Sequence, residues 1–200
     1  MTFNDLSTPL SLVETRRSGK PRDMTGPGPD EAAIDRILKA ALRVPDHGKL
    51  APWRIVVIDR DRRDDFAAVL KSLYLRSKPD AGRLEIDAMD QFAQQGDTIL
   101  AVLSCPASAS KIPLWEQQLS AGALCMNLLM AIHASGYVGG WLTGAPAYLP
   151  GMTQALGGPA ESAIAGFIFV GSPGKPLEER PRPDFGAIVS HWQAAPAVPS

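Results

Sequence analysis

Cysteine, histidine and unbalanced charge are scarce in this chain, and each scarcity removes a class of protein. There are only two cysteines among 200 residues. Cys105 and Cys125 stand alone inside apolar runs, with no metal-ligand spacing and no disulfide framework, and read as buried thiols of a cytosolic protein. His47, His133 and His191 are the only histidines. None lies near a nucleophile-elbow sequence and no two share a ligand spacing, which argues against a hydrolytic triad and against a zinc centre. A formal net charge of -1 leaves no global basic field. A broad nucleic-acid surface is therefore not expected, although a local anion site is allowed. No Gly-x-Gly-x-x-Gly or Walker loop follows a strand, so neither usual nucleotide fold is supported. The start, MTFNDLSTPL, has no basic segment ahead of an apolar core, and the expected location is cytoplasmic.

What is present centres on Pro113 to Gly136. Beyond Glu116 this stretch has no charged residue, and its Ala, Leu and Met positions face all round a helix of roughly 35 Å. A helix apolar on every side is expected to be buried on every side, with Gly136 at its C-terminal cap. Ser120, Asn127, His133 and Ser135 oppose a membrane span, as does the Glu-Gln-Gln entry.

Along the chain, Ser7 or Thr8 before Pro9 starts a short helix that ends in Thr15-Arg16-Arg17-Ser18-Gly19-Lys20. Three cations and a hydroxyl suit a phosphate; they also suit a helix C-terminus answering its dipole. Residues 21–29 read as loop. Asp30 caps a helix through Arg43, and a polar turn, Pro45-Asp46-His47-Gly48-Lys49, leads to Pro52-Trp53 and a strand over Arg54–Asp59. Helices are predicted for Asp61–Ser77 and Arg83–Gln95, the second as a surface or lid helix. Strands are predicted for Thr98–Ser104, Tyr137–Thr143 and Ala163–Val170, with a short helix over Leu149–Leu156. The pair Gly139-Gly140 inside a strand implies that another backbone or a flat ligand lies close. Six of the 18 prolines lie beyond Gly171, in a tail too poor in apolar residues to fold on itself. Alternation of strands and helices alone suggests a parallel sheet.

Several words of the sequence together resemble the FMN-dependent nitroreductase family, and within it the short bacterial NAD(P)H nitroreductases with a Pro-Asp-His turn. They are Arg16-Arg17-Ser18-x-Lys20; Ala41-x-Arg43-x-Pro45-Asp46-His47 with Pro52-Trp53; Pro113-x-Trp115-Glu116-Gln117 with Ser120-Ala121-Gly122; and Gly139-Gly140-Trp141 with Gly144. The resemblance implies a single α+β domain over residues 1–200. Its central sheet is mainly antiparallel and covered by helices, against the parallel expectation. It also implies a homodimer with FMN at the interface and C-terminal arms, residues 172–200, embracing the neighbouring subunit.

By the same resemblance, Arg16, Arg17 and Ser18 hold the FMN phosphate and ribityl chain. Arg43 and His47 reach the partner's cofactor, Trp141, Leu142 and Thr143 pass by the flavin ring, and Ala131 to Gly136 matches a stretch assigned to the nicotinamide nucleotide. No side chain need act as an acid. A cation that stabilises the anionic reduced ring is wanted, with Lys20 the candidate and Lys49 the alternative. Arg180 and Arg182 either add to the phosphate site or belong to a solvated tail. The implied activity is a two-step, ping-pong transfer from NADH or NADPH to a nitroaromatic, quinone or similar small aromatic acceptor. Leu142 and Thr143 stand where close relatives tend to carry a cation and a serine. That departure leaves open a flavin-binding or sensing protein with little turnover, or other flavin chemistry such as dehalogenation or dehydrogenation.

Overall fold

The computed structural model describes residues 2–193, so the last residues of the predicted arm lie outside the described residues. Five strands form one sheet: β1 (Met24–Thr25), β2 (Trp53–Ile58), β3 (Thr98–Ser104), β4 (Val138–Leu142) and β5 (Ala163–Pro173). β5 is the hub. One edge pairs with β3, which pairs in turn with β2; the other edge carries β4 and then β1. Every pairing is antiparallel, which corrects the parallel expectation from alternation.

The reason lies in how many helices separate the strands. Between β2 and β3 the chain makes two helices, α3 (Arg63–Ser77) and α4 (Arg83–Gln94). Contacts of Asp64 with Gln94, Lys71 with Asp90 and Tyr74 with Glu85 show that they run antiparallel, returning the chain to the end of the sheet it left. Only α5 (Leu114–Ala134) links β3 to β4, and those two strands are indeed parallel, but β5 is inserted between them. The short helices α6 (Gly144–Ala147) and α7 (Met152–Ala155) then bring the chain back for β5, replacing the single helix expected over 149–156.

β3 and β5 are covered on both faces, as their unbroken apolar runs require. One face carries Ile99, Ala101, Leu103, Phe167 and Phe169 against α3 and α4. There Phe92 sets its edge against Phe167 and Phe169, with centroids 5.3 Å and 5.1 Å apart. Met89, Phe92 and Ala93 are buried, so α4 is a core helix rather than the lid expected from its alternating charge. The other face carries Leu100, Val102, Ile168 and Val170 against α5 and α2 (Glu31–Ala41), the latter started by Asp30 accepting from the Ala33 N–H at 2.8 Å.

α5 departs from expectation on one side. Leu124, Leu128 and Ile132 are fully buried, but Trp115 is 66 % exposed, Leu119 52 % and Met126 41 %. These three fall on one helical stripe, which the described residues leave uncovered. Cys125 is buried as expected, whereas Cys105 is only half-buried at the end of β3. Among the described residues, no helix is long and apolar enough to cross a membrane.

Candidate functional site

The cationic loop is placed by glycine. α1 (Pro9–Thr15) is capped by Thr8, whose hydroxyl accepts from the Ser11 N–H at 3.0 Å, and it ends at Arg16. The loop then crosses β4, where the Gly19 N–H donates to the Gly139 carbonyl at 3.2 Å. A Cβ on Gly140 would lie 2.6 Å from the Gly19 carbonyl oxygen, and one on Gly139 would lie 2.9 Å from Leu129 of α5. The glycine pair thus admits a backbone on one side and the central helix on the other, and no flat ligand is needed to explain it.

Arg16, Arg17, Ser18, Lys20 and Leu142 all line a single cleft of about 1020 Å³, together with Arg180 and Arg182 from the tail. Val13, Met126, Val138 and Leu142 supply its apolar wall. Arg16 is half-buried, and among the described residues its guanidinium makes one hydrogen bond, from Nη1 to Ser18 Oγ at 3.2 Å. Burial, then the charges of Arg182 and Arg17, push its guanidinium below the usual arginine range. This is a cation in want of an anion.

Arg17 lines the same cleft but is engaged differently. Its side chain is 8 % exposed and four of its five N–H donors are engaged: Nε and Nη2 fork onto the Glu179 carboxylate at 2.6 Å and 2.5 Å, and Nη1 donates to the Glu14 and Arg16 carbonyls. The Phe3 ring covers the guanidinium at 5.0 Å, and Asn4 Oδ1 accepts from the Arg17 N–H. Lys20 Nζ likewise donates to both oxygens of Glu178, at 2.9 Å and 2.8 Å. Neither glutamate stood out in the sequence; the signal was a charged Glu178-Glu179-Arg180 run between prolines, opposite in sign to the loop.

The remaining predicted residues do not line this cleft. Arg43 is exposed at the end of α2, and its carbonyl accepts from Asn127. His47 Nδ1 lies 2.6 Å from Glu116 Oε2, both groups open to solvent. Their turn is held by Asp46, whose carboxylate accepts from the Leu50 and Ala51 N–H groups, and Lys49 and Ala51 are forced to positive φ. Trp53 and the Pro45 carbonyl meet on Ser120, fixing this turn to α5. Trp141 lies across Gly166 of β5 with Nε1 donating to the Ala165 carbonyl at 3.0 Å, and Thr143 follows β4 at the start of α6.

Within Ala131 to Gly136, Ile132 and His133 point into the core. Among the described residues, neither ring nitrogen of His133 has a hydrogen-bond partner. Burial first, then the charge of Arg16, lowers its pKa to about 4; the backbone of Tyr137 works the other way but lies outside hydrogen-bonding geometry. Among the described residues, no cluster of His, Cys, Asp and Glu could hold a metal ion.

Comparison with known proteins places this geometry among relatives. Residues 13–172 match the nitroreductase family model. "Putative NAD(P)H nitroreductase YdjA" of Escherichia coli is 32 % identical over 164 residues, covering 82 % of this chain and 87 % of the relative. Among solved structures, a nitroreductase-like family protein from Bacillus cereus superposes with a TM-score of 0.78 at 16 % identity, over 97 % of this chain and 99 % of that one. A nitroreductase-type protein from Desulfovibrio desulfuricans, solved in complex with FMN, superposes with a TM-score of 0.70 at 23 % identity, over 92 % and 98 %.

Proposed function

The chain belongs to the nitroreductase family, and on that premise we propose that it is an FMN-dependent oxidoreductase. In this reading it passes reducing equivalents from NAD(P)H to a nitroaromatic, quinone or similar acceptor, and works as a homodimer in which all 200 residues form one domain. The observation that carries the reading is the under-neutralised Arg16 beside Ser18, Arg180 and Arg182 at the polar end of a cleft with an apolar wall. That donor set fits a phosphate, since guanidinium groups fork onto its oxygens, and the wall fits a flat ring.

When bound, FMN supplies a ring that accepts two electrons from the nicotinamide and yields them to the acceptor. The chain's own residues bind and orient. Arg16 and Ser18 hold the phosphate end, with Arg180 and Arg182 adding charge. Leu142, Val138 and Met126 exclude water from the apolar side. Lys20 is assigned to steady negative charge on the ring, and Glu178 tempers that charge. Arg43 and His47 lie outside the cleft of their own chain, which is where residues serving a partner's cofactor belong. The uncovered stripe Trp115, Leu119 and Met126 supports the dimer, because an exposed apolar face of this kind marks a contact with another protein surface.

The test is an absorbance spectrum of the purified protein, followed by NADPH in the absence of oxygen. A yellow protein that bleaches, and then recovers its colour on addition of a quinone, is the expected result. A colourless protein that takes up no added FMN refutes the proposal. Initial rates with both substrates varied should give parallel double-reciprocal lines; intersecting lines exclude the ping-pong scheme.

A further inference from the structure

Arg17 and Glu179 lie 162 positions apart in sequence yet make the tightest ion pair at the cleft. Arg17 is buried, and four of its five N–H donors are engaged within the chain. Its partner also bonds within the arm. Glu179 Oε1, besides accepting from Arg17, accepts from the Arg180 backbone N–H at 2.7 Å. The Arg180 carbonyl in turn accepts from Arg182 Nη1 at 3.3 Å. The series Arg17, Glu179, Arg180, Arg182 therefore runs from the buried end of the loop to the exposed cations of the arm.

We propose that Glu179 is a positioning residue for the anion site: clasped by Arg17, it holds Arg180 and Arg182 of the tail beside Arg16 and Ser18. This rests on the reading that the polar end of the cleft takes the FMN phosphate. The other side-chain pairs that hold this tail, Lys20 with Glu178 and Lys175 with Asp23, lie before Glu179, and the residues from Glu178 to Pro183 are all exposed, so the clasp is the last anchor before Arg180 and Arg182. Arg182 and Arg16 repel one another, which opposes their approach while no anion sits between them. The clasp outweighs that repulsion because Arg17 is forked, buried and anchored at the same time by two carbonyls and an aromatic face. Glu179 touches no ligand in this scheme; it acts through the arm.

The discriminating pair of ligands is FMN and riboflavin, which differ only in the phosphate. Dissociation constants for both are measured on the full-length protein by quenching of flavin fluorescence, for the parent and for Arg16→Ala, Arg182→Ala, Glu179→Gln and Arg17→Lys. Loss of one charge-assisted contact to the phosphate weakens FMN by about tenfold. We expect that loss in both Glu179→Gln and Arg182→Ala, with riboflavin unchanged, and no further loss when the two are combined, because they act in series. Arg17→Lys keeps the charge but loses the fork, and should give the same FMN-specific weakening. If Glu179→Gln weakens both ligands equally, or neither, while Arg16→Ala weakens FMN alone, the clasp is refuted and the phosphate site stands. If Arg16→Ala leaves the ratio of the two affinities unchanged, the phosphate reading itself falls.

Discussion

The buried histidine of α5 makes the protein's stability depend on pH in a way that can be worked out beforehand. His133 is 1 % exposed and unpartnered, and its pKa is lowered to about 4 from the ordinary 6.5. The unfolded chain therefore binds a proton that the folded chain refuses, in the window from about pH 6.5 down to about pH 4. Stability is fully present above that window and is lost as pH falls through it. Integrating the linkage from pH 7 to pH 5 gives a loss of about 2 kcal/mol from this one group. Glu85 and Glu179, whose pKa values their partners lower to about 2, contribute in full above pH 5, so they change little between pH 7 and pH 5 and lose their contributions as pH falls below about 4.5. Urea unfolding at pH 7 and at pH 5 measures the difference, and His133→Leu isolates it. The variant should lose much less stability between the two pH values than the parent. Equal losses would refute the argument and mean that His133 finds a partner or water inside the fold.

Three further perturbations probe other parts of the argument. Gly140→Ala sets a Cβ against the Gly19 carbonyl and should cost about 1–3 kcal/mol; FMN binding should weaken with it, and unchanged melting and binding would show that the loop yields freely. Leu119→Glu places a charge on the exposed stripe of α5; light scattering should report a dimer for the parent and a folded monomer for the variant, and a dimer in both would put the interface elsewhere. Phe167→Ala removes the ring that Phe66 and Phe92 pack against and should destabilise the fold by about 3–5 kcal/mol in urea unfolding; a loss below about 1 kcal/mol would mean the core closes over the gap.

Local signals were legible in the sequence because they act between near neighbours. Thr8 before Pro9 and Asp30 before Glu31 start helices where expected, since a cap bonds to a backbone group within one turn. The apolar runs of β3 and β5 declared themselves central because only a strand covered on both faces can be apolar at every position. The family resemblance was legible for a similar reason, as its words are short stretches in a fixed order, and the family match over residues 13–172 bears it out.

What the tertiary structure alone decided depends on residues distant in the chain. Strand direction followed from helix pairing and from the insertion of β5, which alternation does not encode. Arg16 and Arg17 are chemically alike, adjacent and both at the cleft, yet one is left with a single contact to Ser18 and the other is forked onto Glu179 from the far end of the chain. Gly140 turned out to admit a backbone, because Gly19 comes to rest against it. The apolar content of α5 predicted burial on all sides, but three layers of one chain cover only part of its circumference. Composition states how much apolar surface must be hidden; which surface hides it is settled only when the chain is folded around it.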